Sequence, residues 1–161
     1  RGQNSHLVYF GVMAVFVCNP IGIIKTPILA KEDAPIQSSR STIIGRVIVN
    51  QEFREGLEEI EDFSHIILIY WFNRSTGNAT MKIKPFLDDH ERGLFTTRYP
   101  CRPNQIGFSI VEILSVHENE IVFKGADMLN ETPLLDIKPY IPDFDSIKAT
   151  QTGWYQKRTN K

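Results

Sequence analysis

The chain has 161 residues, 42% of them hydrophobic and 11% aromatic, which suits one domain with its own core and leaves little room for a second. Charged residues make up 23% and the formal net charge is −1, so no global field draws the molecule to nucleic acid or an anionic membrane, and any polyanion must be met by a local patch. Two cysteines, Cys18 and Cys101, with no CxxC exclude a disulfide framework and a zinc or redox motif, and fit a reducing cytoplasm.

In chain order, the first feature is the apolar run Leu7 to Cys18. It is too short to span a bilayer, and Val17 is not the small residue a signal cleavage site wants. Arg1 to Val12 reads as a non-native remnant or an N-terminal extension, with Met13 as a natural start and one domain over 13–145. Val15 to Lys25 predicts a strand bent at Pro20, and Ile43 to Val49 a second one by its alternation. Gln51 to Ile60 predicts a helix, with Phe53, Leu57 and Ile60 on one face and the solvated acids Glu52, Glu55, Glu58 and Glu59 on the other. Ser64 to Phe72 is the most apolar segment and predicts a buried central strand headed by His65.

Met81 to Pro85 and Leu94 to Thr97 predict short strands around the charged turn Asp88 to Gly93. Phe108 to Val116 and Ile121 to Lys124 predict a hairpin over the four-residue loop His117 to Glu120, and Leu134 to Lys138 a last strand. About seven short strands, one short helix and frequent turns point to an all-β, closed or nearly closed barrel. The tail 146–161 carries Lys148, Lys157, Arg158 and Lys161 and no acid; it reads as a solvated basic tail, with a flexible arm for RNA as the alternative.

Between two predicted strands lies Thr97 to Gly107. Pro100 and Pro103 stiffen it by fixing φ near −65°, Arg98 and Arg102 add permanently charged planar donors, and Asn104 and Gly107 permit tight turns. Such a loop suits an anion or a nucleotide, or serves as a plain connector with solvated arginines. The chain has no GxGxxG, no GxxxxGK[ST], no GxSxG and no HExxH, and its four histidines are scattered over different elements, so no metal site is expected. His65 reads as a satisfied core histidine, His90 as part of a charged turn, and Cys101 has no evident base. Sequons at Asn73, Asn78 and Asn130 matter only on a secretory route. The residues alone lead to a barrel whose polar loops meet at one rim, able to hold a neutral or zwitterionic molecule as readily as an anion.

Six blocks carry a more specific signal: Pro20-Ile21-Gly22-Ile23-Ile24-Lys25-Thr26-Pro27, Ala34-Pro35-Ile36-Gln37, Gly56 to His65, Gly93-Leu94-Phe95-Thr96-Thr97-Arg98, Arg102-Pro103-Asn104-Gln105-Ile106-Gly107 and Thr132 to Tyr140. In this order they resemble the TsaA-like, or TrmO, family of S-adenosylmethionine-dependent tRNA methyltransferases. The resemblance implies a β-barrel outside the Rossmann class, methylation of the exocyclic amine of threonylcarbamoyladenosine beside the tRNA anticodon, and a homodimer with the cofactor near the subunit interface. By motif it implies cofactor contacts at Pro35, Ile36, Gln37, Asn73, Arg74, Arg98, Phe108, Ala126, Asp127, Met128 and Leu129. Asp127 ranks first as the acceptor that orients the amine. Arg92, Arg102, Lys138 and Tyr140 are candidates for RNA, while Asp136 and Lys138 read equally as a rim salt bridge.

The chain departs from the family pattern at four places. Gln105 stands for the second Pro of RPNPIG, Phe108 for a Leu or Met, Asn130-Glu131 for the Asp-Gly of DGTP, and Asn73 for a His. The alternative to the enzyme is a non-enzymatic barrel that binds RNA or an adenine nucleotide.

Overall fold

A computed structural model describes residues 7–10 and 13–158. Most of the expected extension Arg1 to Val12, including His6, and Lys161 of the tail lie outside the described residues. In chain order the strands are β1 (Leu7–Phe10), β2 (Met13–Phe16), β3 (Gly22–Lys25), β4 (Ile44–Val49), β5 (His65–Trp71), β6 (Lys82–Ile83), β7 (Arg92–Gly93), β8 (Ile106–His117), β9 (Glu120–Lys124) and β10 (Thr132–Pro139), followed by the short helix α1 (Pro142–Asp145).

Six strands close an antiparallel barrel in the order β10-β3-β4-β9-β8-β5. Alternation builds it. Inward positions of β4 are Val47 and Val49, of β5 Ile66, Leu68 and Tyr70, and of β9 Ile121 and Phe123, all buried. β-Branched side chains fit the pleat, so the run that reads as wholly apolar in β5 is two-faced, with Ile67 and Ile69 half-buried on the outside. Phe123 fills the barrel because Gly45 opposes it on β4: a Cβ at position 45 would stand 2.5 Å from the ring tip. Bulges between Ile113 and Ser115 in β8 and between Leu134 and Asp136 in β10 bend the two longest strands around the closure.

The register sends three long connections to one rim. Tyr70 pairs with Gly107, Ile24 with Thr132 and Ile44 with Lys124, so the 26–43, 72–105 and 125–131 loops all leave from the same end. The opposite end carries the β8–β9 turn. That turn has two residues, Glu118 and Asn119, and not four, because His117 pairs with Glu120.

Other expectations change too. The barrel has six strands where about seven were counted. Val15 to Lys25 divides: β2 pairs with β1 in a separate hairpin, and only β3 joins the barrel, since Pro20 has no N–H for a ladder.

Gln51 to Ile60 forms two 3-10 turns, Gln51–Leu57 and Ile60–Asp62, with no side-chain cap. Gly56 and the left-handed Glu59 at φ 63° break any longer helix. Leu57 is still buried and the acids still face solvent. The predicted strands at 81–85 and 94–97 shrink to the two-residue ladder β6–β7 and a 3-10 turn, Leu94–Thr96.

The described part of the tail folds back onto the 26–43 and 72–105 loops. A 3-10 stretch, Gly153–Arg158, places Trp154 Nε1 2.9 Å from Thr96 O, and Tyr155 Oη accepts from Arg40 at 3.0 Å.

Candidate cofactor site

A cleft of about 650 Å³ opens at the rim where the three loops meet. Each loop is pinned by short polar contacts. Ser41 Oγ donates to Ala126 O at 2.6 Å and Thr26 Oγ1 to Met128 O at 2.9 Å, while Asn130 N donates to Ile28 O at 2.7 Å. These bonds hold the 125–131 turn against the 26–43 loop. Gly125 starts that turn at φ 104°, where a Cβ would come within 3.3 Å of Ser38 O. Gly107 serves packing: a Cβ there would run into the Tyr70 and Phe72 rings, which themselves meet edge to face at 5.3 Å.

The cleft gathers Pro35, Ile36, Gln37, Asn73, Arg74, Arg98, Phe108, Asp127, Met128 and Leu129. Ala126 is fully buried behind the wall and contributes backbone bonds only. Arg98 spans the mouth. It donates to Gln37 Oε1 at 2.7 Å, and its guanidinium lies 4.8 Å from the Phe108 ring centroid.

Among the RNA candidates, Arg102 lines the cleft but braces its own loop through Thr97 O and Tyr99 O, at 3.1 and 3.3 Å. Arg92 Nε is paired with Asp88 at 2.7 Å, and that bond holds the Asp88 carboxyl well below the usual carboxylate range. Lys138 meets Asp136 at 2.8 Å, the rim salt bridge. Tyr140 stands away from the cleft, edge-on to His65 with centroids 6.3 Å apart. His65, the first residue of β5, is half-buried and not in the core; its Nδ1 is 3.0 Å from Ser64 Oγ.

Asp127, which motif reading names, is held by two residues that it missed. Ser109 Oγ donates to Asp127 Oδ1 at 2.6 Å, and Tyr70 Oη lies 2.9 Å from Ser109 Oγ. An ionised carboxylate only accepts, so Ser109 spends its one proton on Asp127 and Tyr70 donates to Ser109. Burial, and then the Asp127 charge, push the Tyr70 hydroxyl well above its ordinary range, which keeps it a donor. Burial raises the Asp127 carboxyl as well, opposed by the Ser109 hydroxyl and by the Ser38 N–H. The signal for Ser109 was legible: it is a hydroxyl at an inward position between Gly107 and Val111, where alternation calls for an apolar residue. Tyr70 likewise ends the inward row of β5.

Two carboxylates, three guanidinium groups and aromatic faces around one cleft suit a zwitterion that carries a flat base. The family model for the tRNA-methyltransferase O N-terminal domain matches residues 23–146. The chain belongs to the TrmO family. Among its relatives, a probable S-adenosyl-L-methionine-binding protein of Pyrococcus abyssi is 43% identical over 152 residues, covering 93% of this chain and 82% of that protein.

The human tRNA (adenine(37)-N6)-methyltransferase is 35% identical over 137 residues, 79% of this chain and 30% of the human protein. The crystal structure of TrmO from Pseudomonas aeruginosa superposes with a TM-score of 0.70 at 28% identity, covering 85% of this chain and 61% of that one. The TrmO barrel accounts for the absent glycine-rich turn. Its rim carries the candidate cleft, with loops held by side-chain and backbone bonds.

Proposed function

We propose that this chain transfers the methyl group of S-adenosylmethionine to the N6 amine of the adenine beside the tRNA anticodon, with threonylcarbamoyladenosine as acceptor, and that it works as a cytoplasmic homodimer. The observation that carries the reading is the convergence of the motif residues on one cleft in which Asp127 accepts from Ser109, itself 2.9 Å from Tyr70 Oη. The residues fit the cofactor. Arg74 and Arg98 offer guanidinium groups to its carboxylate, Phe72 and Phe108 offer ring faces to its adenine, and Asp127 offers a negative charge to its sulfonium.

When bound, the cofactor supplies an electrophilic methyl; one S–C bond breaks as one N–C bond forms, sulfur becomes neutral, and the amine gives up one proton. Asp127, ionised and held by Ser109, orients the amine and accepts that proton, directly or through water. The loops fix the distance between the reacting groups, which is the larger contribution for a displacement that needs no protein nucleophile. Arg74, Arg98 and Arg102 give the local positive patch for tRNA that the overall charge lacks.

Labelled cofactor and threonylcarbamoylated tRNA test the reading: label must appear at N6 of that nucleoside. A second reading rests on the archaeal relatives, which are named only as S-adenosyl-L-methionine-binding proteins. It holds if calorimetry finds cofactor binding and no tRNA takes up label.

A further inference from the structure

A second cavity, of about 480 Å³, adjoins the cofactor cleft and lies over the outer face of β8, under the 38–41 turn. Its volume is in the range of small-molecule sites, roughly 300–1,000 Å³. The two spaces share three residues, Gln37, Arg98 and Phe108, so the wall between them is the Arg98–Gln37 hydrogen bond resting on the Phe108 ring. Beyond that wall stand Tyr140 and His65, an edge-to-face pair, and Lys124, which is 3.5 Å from Glu112. Ser109 also lines this second space while its hydroxyl donates to Asp127 of the first. One hydroxyl therefore connects the two.

We propose that this second cavity receives the acceptor base: a purine extruded from an unpaired loop and bearing a carboxylate substituent. The inference rests on the methyltransferase reading above. Three features support it. A methyl transfer needs its two substrates in adjoining spaces, with reacting atoms roughly 3–3.5 Å apart, and Arg98 is the side chain that must shift to join these two. Tyr140 and His65 provide aromatic surface for a flat base, the sequence-tolerant element of single-strand recognition. Lys124 provides a cation for the carboxylate of the substituent. Tyr140 thus has a role as a base platform, and Lys124 has one that motif reading does not reach.

The test uses the full chain with tRNA carrying threonylcarbamoyladenosine. Tyr140→Ala is expected to raise KM for tRNA roughly tenfold, the loss of one stacking face, while calorimetric cofactor affinity stays within about twofold. Tyr140→Phe keeps the ring and should restore KM; a matching melting temperature for both variants excludes a folding defect. Lys124→Met should raise KM for the threonylcarbamoylated tRNA more than for tRNA with plain adenosine.

If the wild type methylates tRNA and Tyr140→Ala and Lys124→Met match it in KM, the inference is overturned alone. Loss of cofactor affinity in step with KM also overturns it, since the cavity would then belong to the cofactor. A wild type that binds cofactor and methylates no tRNA overturns the methyltransferase reading, and this inference falls with it.

Discussion

At the scale of single residues, Asp127 decides most. Its carboxyl is raised by burial, so the folded state holds the proton more tightly than the unfolded chain. Its contribution to stability is therefore favourable in acid and falls as pH climbs from the ordinary carboxylate value through the raised one. Asp127→Asn should raise the melting temperature at neutral pH and flatten its acid-side slope, while cutting methyl transfer by about 10²–10⁴-fold; calorimetric melts and initial rates check both. In the wild type, kcat should rise with pH through that same raised value, because only the ionised form accepts a proton.

Ser109→Ala leaves the Tyr70 hydroxyl without its acceptor and should cost about 1–3 kcal/mol in denaturant unfolding. Arg98→Ala removes the bond to Gln37 and the contact over Phe108, and should weaken cofactor binding roughly tenfold by calorimetry. Unchanged affinity would return the 97–107 loop to a plain connector.

At the scale of elements, two departures from the family pattern sit where the backbone is left-handed. Gln105 has φ 46° and Glu131 has φ 63°. A proline is barred at φ 46°, so this loop draws its stiffness from bonds: Gln105 N donates to Arg102 O, its side chain donates to Ser75 O at 3.0 Å, and Phe72 N donates to Gln105 O at 2.8 Å. Gln105→Pro should destabilise the protein by more than about 1 kcal/mol, although the family pattern has proline there; chemical denaturation measures it. Glu131 accepts strain that a glycine would not, and clamps Lys25 at 2.8 Å and Arg74 at 3.7 Å.

Strand alternation was legible because period two survives any register, and the rim loops were legible through their motifs. The 51–60 segment was not: its apolar spacing is helical, but Gly56 and a left-handed Glu59 decide the backbone, and no periodicity encodes φ. The Tyr70–Ser109–Asp127 chain was hidden because its members lie apart in sequence and meet only through the β5–β8 register and the 125–131 turn.

At the scale of the whole molecule, the tail and the closure tie distant parts of the chain together. Trp154 reaches Thr96 and Tyr155 reaches Arg40, both on loops that frame the two cavities. Trp154→Ala should lower stability by about 1 kcal/mol, seen as a fall of roughly 2–4 °C in melting temperature; a free tail would give no change. The pairing of β10 with both β3 and β5 has a consequence in time. Until Thr132 to Pro139 has left the ribosome, β3 and β5 each keep an open edge, so the native state cannot be reached by the growing chain. Closure of the barrel then waits for β10 and is slow for the domain's size, since its decisive contact joins residue 24 to residue 132. Until β10 pairs, two strand edges stay open, an exposure that a sheet of local hairpins would not impose.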